Sequence, residues 1–94
     1  MEKDNIIKAL ESLESKYCRK EGYNTIEILE ELNIPYSYEN GYNLRKRLRS
    51  MIDGKRYPEF KTAGTYDIVY CPNGKNSGKY RRSKYRDWKN EQTI

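Results

Sequence analysis

Residues 41–54, GYNLRKRLRSMIDG, carry two patterns at once. Leu44, Leu48, Met51 and Ile52 fall within an arc of about 100° at 3.6 residues per turn. The same period places Tyr42, Asn43, Lys46, Arg49 and Ser50 on the opposite side, with Arg45 and Arg47 on the two flanks. The pattern predicts a helix over about 41–53, apolar on one face and cationic on the other, with Gly54 as its C-terminal stop. The segment before it, from Pro35 to Gly41, reads as a turn in which Ser37 or Asn40 can cap the helix.

Toward the N-terminus, Asn24-Thr25-Ile26-Glu27 places a capping side chain three residues before a glutamate that can bond back to it. Ile26, Leu29 and Leu32 then form a helical stripe with Ile28 beside it. Pro35 cannot continue a helix and Asn33 suits a left-handed terminus, so the second helix is predicted over about 25–33. Ile6, Ile7, Leu10, Leu13 and Tyr17 recur every three or four residues and predict a first helix over about 4–19. Asp4 or Asn5 can cap it, and Gly22 lies beyond its end.

Toward the C-terminus the pattern becomes β-prone. Residues 57–62 and 65–70 flank Ala63-Gly64 and can form a hairpin. A competing register pairs 65–71 with 79–85 across the loop 72–78, and a sheet using both turns has three strands. The strand count is therefore two or three. Residues 72–94 hold seven basic and two acidic residues, with Trp88 and Ile94 as their only large aliphatic, Phe or Trp side chains. They read as a basic extension, with a short helix around 83–90 docking through Tyr85 and Trp88. The organisation expected is one domain over 1–71 followed by this extension.

Composition sets the scale of the core. Leu, Ile, Val and Phe number 16 of 94 residues, and ten further hydrophobic positions are tyrosine. So small a chain makes a single, marginally stable domain. Its net charge of +5 is unevenly placed. Residues 1–44 carry five basic and nine acidic side chains, whereas residues 45–94 carry fourteen basic and five acidic. An acidic supporting half joined to a basic contact half is the electrostatic footprint of a nucleic-acid binder.

The same composition removes classes of chemistry. With no histidine, Ser-His-Asp and Cys-His catalysis and His-containing metal sites are excluded. Cys18 and Cys71 cannot make a four-thiolate zinc site, and both are read as reduced thiols, with a disulfide as the alternative. Glu27, Glu30 and Glu31 form an acidic, solvated face rather than an acid–base pair. Asp53 with Glu59-Phe60-Lys61 only superficially resembles a metal-dependent nuclease set, because the two parts stand too close together. No enzyme activity, cofactor or metal is expected. No apolar run approaches the ~20 residues of a membrane span, so a soluble, cytoplasmic protein associated with host DNA or the nucleoid is expected.

Three short helices followed by a hairpin form an α+β order that resembles the winged helix-turn-helix superfamily over about residues 5–71. The likeness lies mainly in Thr25–Ile34, Leu44–Gly54 and the hairpin. The run from Gly54 to Ile68 is also similar to the wing of small phage excisionases. The resemblance implies a small phage, plasmid or viral transcriptional regulator, or an architectural factor in recombination, bound to double-stranded DNA. Abundant Lys, Asn, Ile and Tyr fit an AT-rich coding sequence and such an origin.

The residues allow the same role. Arginine offers guanine a bidentate donor pair and asparagine can pair its amide with adenine, so Tyr42, Asn43, Arg45, Lys46, Arg47, Arg49 and Ser50 form the expected DNA face. Lys61 and Thr65 in the wing, and Lys79, Arg81, Arg82 and Lys84 in the tail, are the expected phosphate contacts. A homodimer would lengthen the site. Two alternatives stand beside this reading. One is a mobile-element module whose basic face binds an acidic protein partner, such as a host nucleic-acid machine. The other is RNA or single-strand binding through the tail, where Tyr80 and Tyr85 alternate with cations.

Overall fold

Three helices and an antiparallel hairpin follow one another in the computed structural model, α1 (Lys3–Tyr17), α2 (Thr25–Glu31), α3 (Tyr38–Met51), β1 (Ile68–Asn73) and β2 (Asn76–Arg82). The structure describes residues 1–19, 21–54, 58–60, 64, 66–73 and 76–82.

Local chemistry accounts for the helix ends. Asn24 and Glu27 form the expected capping box: Asn24 Oδ1 accepts from the Glu27 N–H at 2.8 Å and Glu27 Oε1 from the Asn24 N–H at 3.2 Å. Asn33 takes the expected left-handed conformation, φ 60°, and the Ile34 N–H returns to the Leu29 carbonyl at 2.9 Å. In α3, Ser37 is the cap, accepting from the Asn40 N–H at 3.0 Å, so this helix begins at Tyr38, earlier than expected. α1 differs from expectation. Its N-cap is Glu2, which makes no side-chain cap bond, and Asp4 instead sits in the first turn, where a carboxylate favours the helix dipole.

The helices meet along the predicted apolar positions. Ile6, Ala9, Leu10 and Leu13 of α1, Ile28 and Leu29 of α2, and Leu44, Leu48 and Met51 of α3 are buried together with Ile52 and Ile68. Each fully buried aliphatic side chain contributes about 1.5–3 kcal/mol. Two apolar positions depart from the predicted stripes. Ile26 is 44% exposed, because α2 turns Ile28 inward, and Tyr17 is exposed beneath the Arg19 guanidinium, 4.7 Å from its ring centre. Lys16 pairs with Glu31 at 2.8 Å and Arg19 with Glu27, which joins the end of α1 to α2.

The sheet uses the longer-loop register. Ile68 pairs with Arg82, Val69 with Arg81, Tyr70 with Tyr80 and Cys71 with Lys79, and the register shifts between Cys71 and Asn73, around Pro72, which has no N–H for the ladder. Of the alternative first strand, Pro58–Phe60 are described and are not in a strand. β2 lies beyond residue 71, where the basic extension was expected to begin, so the described fold continues to Arg82.

Two isolated bridges attach the hairpin to the helices. Tyr23, between α1 and α2, exchanges both backbone hydrogen bonds with Tyr80 at 2.8 and 2.9 Å. Ile52 leaves α3 in an extended conformation and bridges Ile68 in parallel, and the Asp53 N–H donates to the Ile68 carbonyl at 2.9 Å. α3 therefore ends at Met51 through this pairing, ahead of the expected stop at Gly54. Gly22 has φ +87°, and a Cβ there would stand 2.8 Å from the Tyr80 carbonyl oxygen, so the close approach at the first bridge requires glycine.

Cys18 is exposed and Cys71 part-buried, and the two are not joined in a disulfide. Among the described residues no helix is long and apolar enough to cross a membrane.

Candidate nucleic-acid interface

Burial of Leu44, Leu48 and Met51 fixes the rotation of α3 and so decides what it presents outward. Asn43, Lys46, Arg47 and Arg49 are exposed, Tyr42 is half-exposed, and Arg45 and Ser50 are partly covered. The seven residues predicted for this face thus occur together on one surface. Among the described residues none of its four cations is held in an ion pair, in contrast to Lys16, Arg19 and Arg82. Ser50 is the least available of the set, because its hydroxyl donates to the Arg47 carbonyl at 2.7 Å.

Two open grooves flank the helix. One, of about 820 Å³, lies between α3 and the hairpin, with Tyr42, Arg45, Lys46 and Arg49 on one side and Phe60, Tyr70, Gly78 and Tyr80 on the other, Glu59 also lining it. The second, of about 720 Å³, runs between α3 and the N-terminus and includes Asn43, Lys46 and Arg47. Lys46 and Ser50 line both, so they form the ridge between them.

The hairpin wall of the first groove is an aromatic stack. Phe60 meets Tyr70 edge-on at 5.5 Å between ring centres, and Tyr70 meets Tyr80 at 5.6 Å. A Cβ on Gly78 would overlap the Tyr70 ring, so glycine at this strand position allows the ring to lie across β2. Burial raises the pKa of the Tyr80 phenol, the neighbouring Tyr70 adds to the rise, and the positive charges of Arg49 and Arg45 oppose it. Ile68 lies in the core, and Phe60 and Tyr70 pack against it.

The tail cations are placed differently from expectation. Arg81 is 1% exposed, and its Nη1 donates to the Arg82 carbonyl at 3.1 Å, so it is not presented to a phosphate. Arg82 pairs with Glu11 of α1 at 3.2 Å and lies 3.9 Å from Asp67. Both are corrected from phosphate contacts to parts of the fold, because β2 packs where a free tail was expected. Tyr80, 3% exposed, belongs to the core rather than to a stacking tail. Lys79 is partly exposed. Lys61, Thr65 and Lys84, and the helix expected around 83–90, lie outside the described residues.

Glu27 and Glu31 are engaged by Arg19 and Lys16 and only partly exposed, so of the three glutamates expected on a solvated face Glu30 alone is exposed. Among the described residues no group of three or more His, Cys, Asp or Glu could hold a metal ion. Sequence reasoning missed two features. Tyr36 and Tyr38 are 59% and 82% exposed at the start of α3, where the sequence reads as a turn. The i, i+4 spacing of Tyr38 and Tyr42 was the available signal. Tyr23 is fully buried, and no local pattern marks it.

Comparisons with protein-family models, curated proteins and solved structures return no match to this chain.

Proposed function

We propose that this chain is a small double-stranded DNA-binding protein of winged helix-turn-helix type, acting in transcriptional regulation or recombination. The observation that carries the proposal is the outer face of α3, where Arg45, Lys46, Arg47 and Arg49 have no ion-pair partner among the described residues and stand beside exposed Asn43 and Tyr42. A helix anchored on one side by aliphatic side chains and cationic on the other suits a major groove. Arg49 and Asn43 are assigned to base edges, and Arg45, Lys46 and Arg47 to phosphates.

The hairpin serves as the wing. Its bridges to Tyr23 and Ile52 support the assignment, because they hold it and α3 in a fixed relation. Lys79, with Lys61, Thr65 and Lys84, is assigned to backbone contacts. A homodimer on cytoplasmic DNA lengthens the site, since one small module binds weakly at physiological salt.

The test is fluorescence anisotropy against random duplex DNA, single-stranded DNA and RNA over a salt series. Duplex preference with a log–log salt slope of about −3 to −6 is expected, as several phosphates are engaged. Absence of binding at low salt overturns the proposal. It favours the acidic protein partner, for which exposed Tyr36, Tyr38 and Arg47 provide residue types common in interface hot spots.

A further inference from the structure

The groove between α3 and the hairpin has two walls of different chemistry. Arg45, Lys46 and Arg49 supply positive charge along α3, whereas Phe60 and Tyr70 supply ring surface on the opposite side and Tyr42 supplies a third ring from the helix. Its volume of about 820 Å³ lies within the range of small-ligand clefts, about 300–1,000 Å³. Paired DNA has no use for the aromatic wall, because in a duplex the flat faces of the bases are covered by their neighbours. An unpaired base exposes that face and stacks on aromatic side chains regardless of its identity.

We infer that this groove holds an unpaired nucleotide beside the duplex engaged by α3, with its base against Tyr42, Phe60 and Tyr70 and its phosphate against Arg45 and Lys46. Glu59 fixes the orientation. Its carboxylate repels a phosphate from the hairpin side and can accept from the exocyclic amine of cytosine or adenine. Gly78 keeps the wall in place, since any larger residue would displace the Tyr70 ring. The preferred ligand is therefore DNA with a short unpaired stretch, such as a melted or mismatched site. The inference rests on the reading of α3 as a DNA-contacting helix.

Two otherwise identical duplexes test it, one fully paired and one with a short central bubble, each carrying 2-aminopurine at the centre and a dye at one end. Anisotropy reads affinity, and 2-aminopurine emission reads stacking. The expected result is that both duplexes bind, the bubble about tenfold more tightly, with 2-aminopurine quenched on binding. Tyr42→Leu should bring the ratio of the two affinities close to one and remove the quenching, whereas Tyr42→Phe should keep both. Tyr42 is half-exposed, so neither variant threatens the core. Equal affinities with unquenched 2-aminopurine overturn the inference and leave the duplex proposal standing. Quenched binding to the bubble with no binding to the paired duplex overturns duplex engagement by α3 and leaves only the stacking of an unpaired base in the groove. Absence of binding to every probe overturns both.

Discussion

The hydroxyl of Tyr23 donates to Glu14 Oε2 at 2.8 Å inside the junction of α1 with the hairpin, and the Tyr23 hydroxyl oxygen itself accepts the Arg19 N–H at 3.0 Å. One buried phenol therefore satisfies a carboxylate oxygen and a backbone donor while its backbone pairs with Tyr80. Tyr23→Phe removes both side-chain bonds and leaves the buried carboxylate short of a donor. The expected cost is about 1–3 kcal/mol, read by urea or thermal unfolding.

Alkali should act at the same place. Burial raises the pKa of Tyr23, the Arg19 N–H partly opposes the rise and Glu14 adds to it; burial likewise raises that of Tyr80. A group raised in the folded state stabilises fully below its unfolded pKa, about 10, and loses that contribution as pH rises toward the folded value. Stability is therefore expected to fall from about pH 10 upward. Melting curves across that range should show a shallower decline in Tyr23→Phe, which keeps only the Tyr80 contribution.

Acid should act at the α1–α2 contact. The hydrogen bond from Lys16, followed by that from Ser12, holds the Glu31 carboxyl below its ordinary pKa. A lowered pKa stabilises above the unfolded value, about 4, and the contribution disappears as pH falls through the folded value. Glu31→Gln should melt below the parent at neutral pH, and the gap should close as the buffer is taken to strong acid.

At the first bridge the backbone itself is constrained. Gly22→Ala places a methyl group in a left-handed conformation and against the Tyr80 carbonyl oxygen, so a loss of at least about 1 kcal/mol is expected. Hydrogen exchange should locate the weakening at the Tyr23 and Tyr80 amides, which bond across this bridge.

Cations on the two sides of the molecule should respond differently. Arg82→Ala breaks the contacts with Glu11 and Asp67 and should cost about 0.5–1 kcal/mol of stability without changing the salt dependence of DNA binding. Arg47→Ala should do the reverse, reducing the log–log salt slope by about one at unchanged melting temperature. Arg49→Ala should lower affinity for a selected site more than for random DNA, and equal losses would reduce Arg49 to a phosphate contact.

The three helices, the Asn24–Glu27 capping box and the division of α3 into a buried and a cationic face were all legible in the sequence. Each rests on side chains three or four residues apart, so nearest-neighbour chemistry decides it. The candidate face survives for the same reason: once Leu44, Leu48 and Met51 are buried, helical geometry leaves Asn43, Lys46, Arg47 and Arg49 outside.

The hairpin was legible only as a choice between registers. β2 reads NSGKYRR, a polar run with the look of a loop, and its pairing with β1 is set by contacts distant in the chain. Tyr23 meets Tyr80, Arg82 meets Glu11, and the Tyr70 ring passes over Gly78. Those contacts bury Arg81 and Tyr80 and draw Arg82 into the fold, which removes three residues from the tail that sequence alone had offered to nucleic acid. Local periodicity thus determined which helix face is cationic. Only the tertiary structure decided which other cations remain available and that an aromatic wall stands opposite them, because strand pairing depends on backbone partners that no short stretch of this sequence specifies.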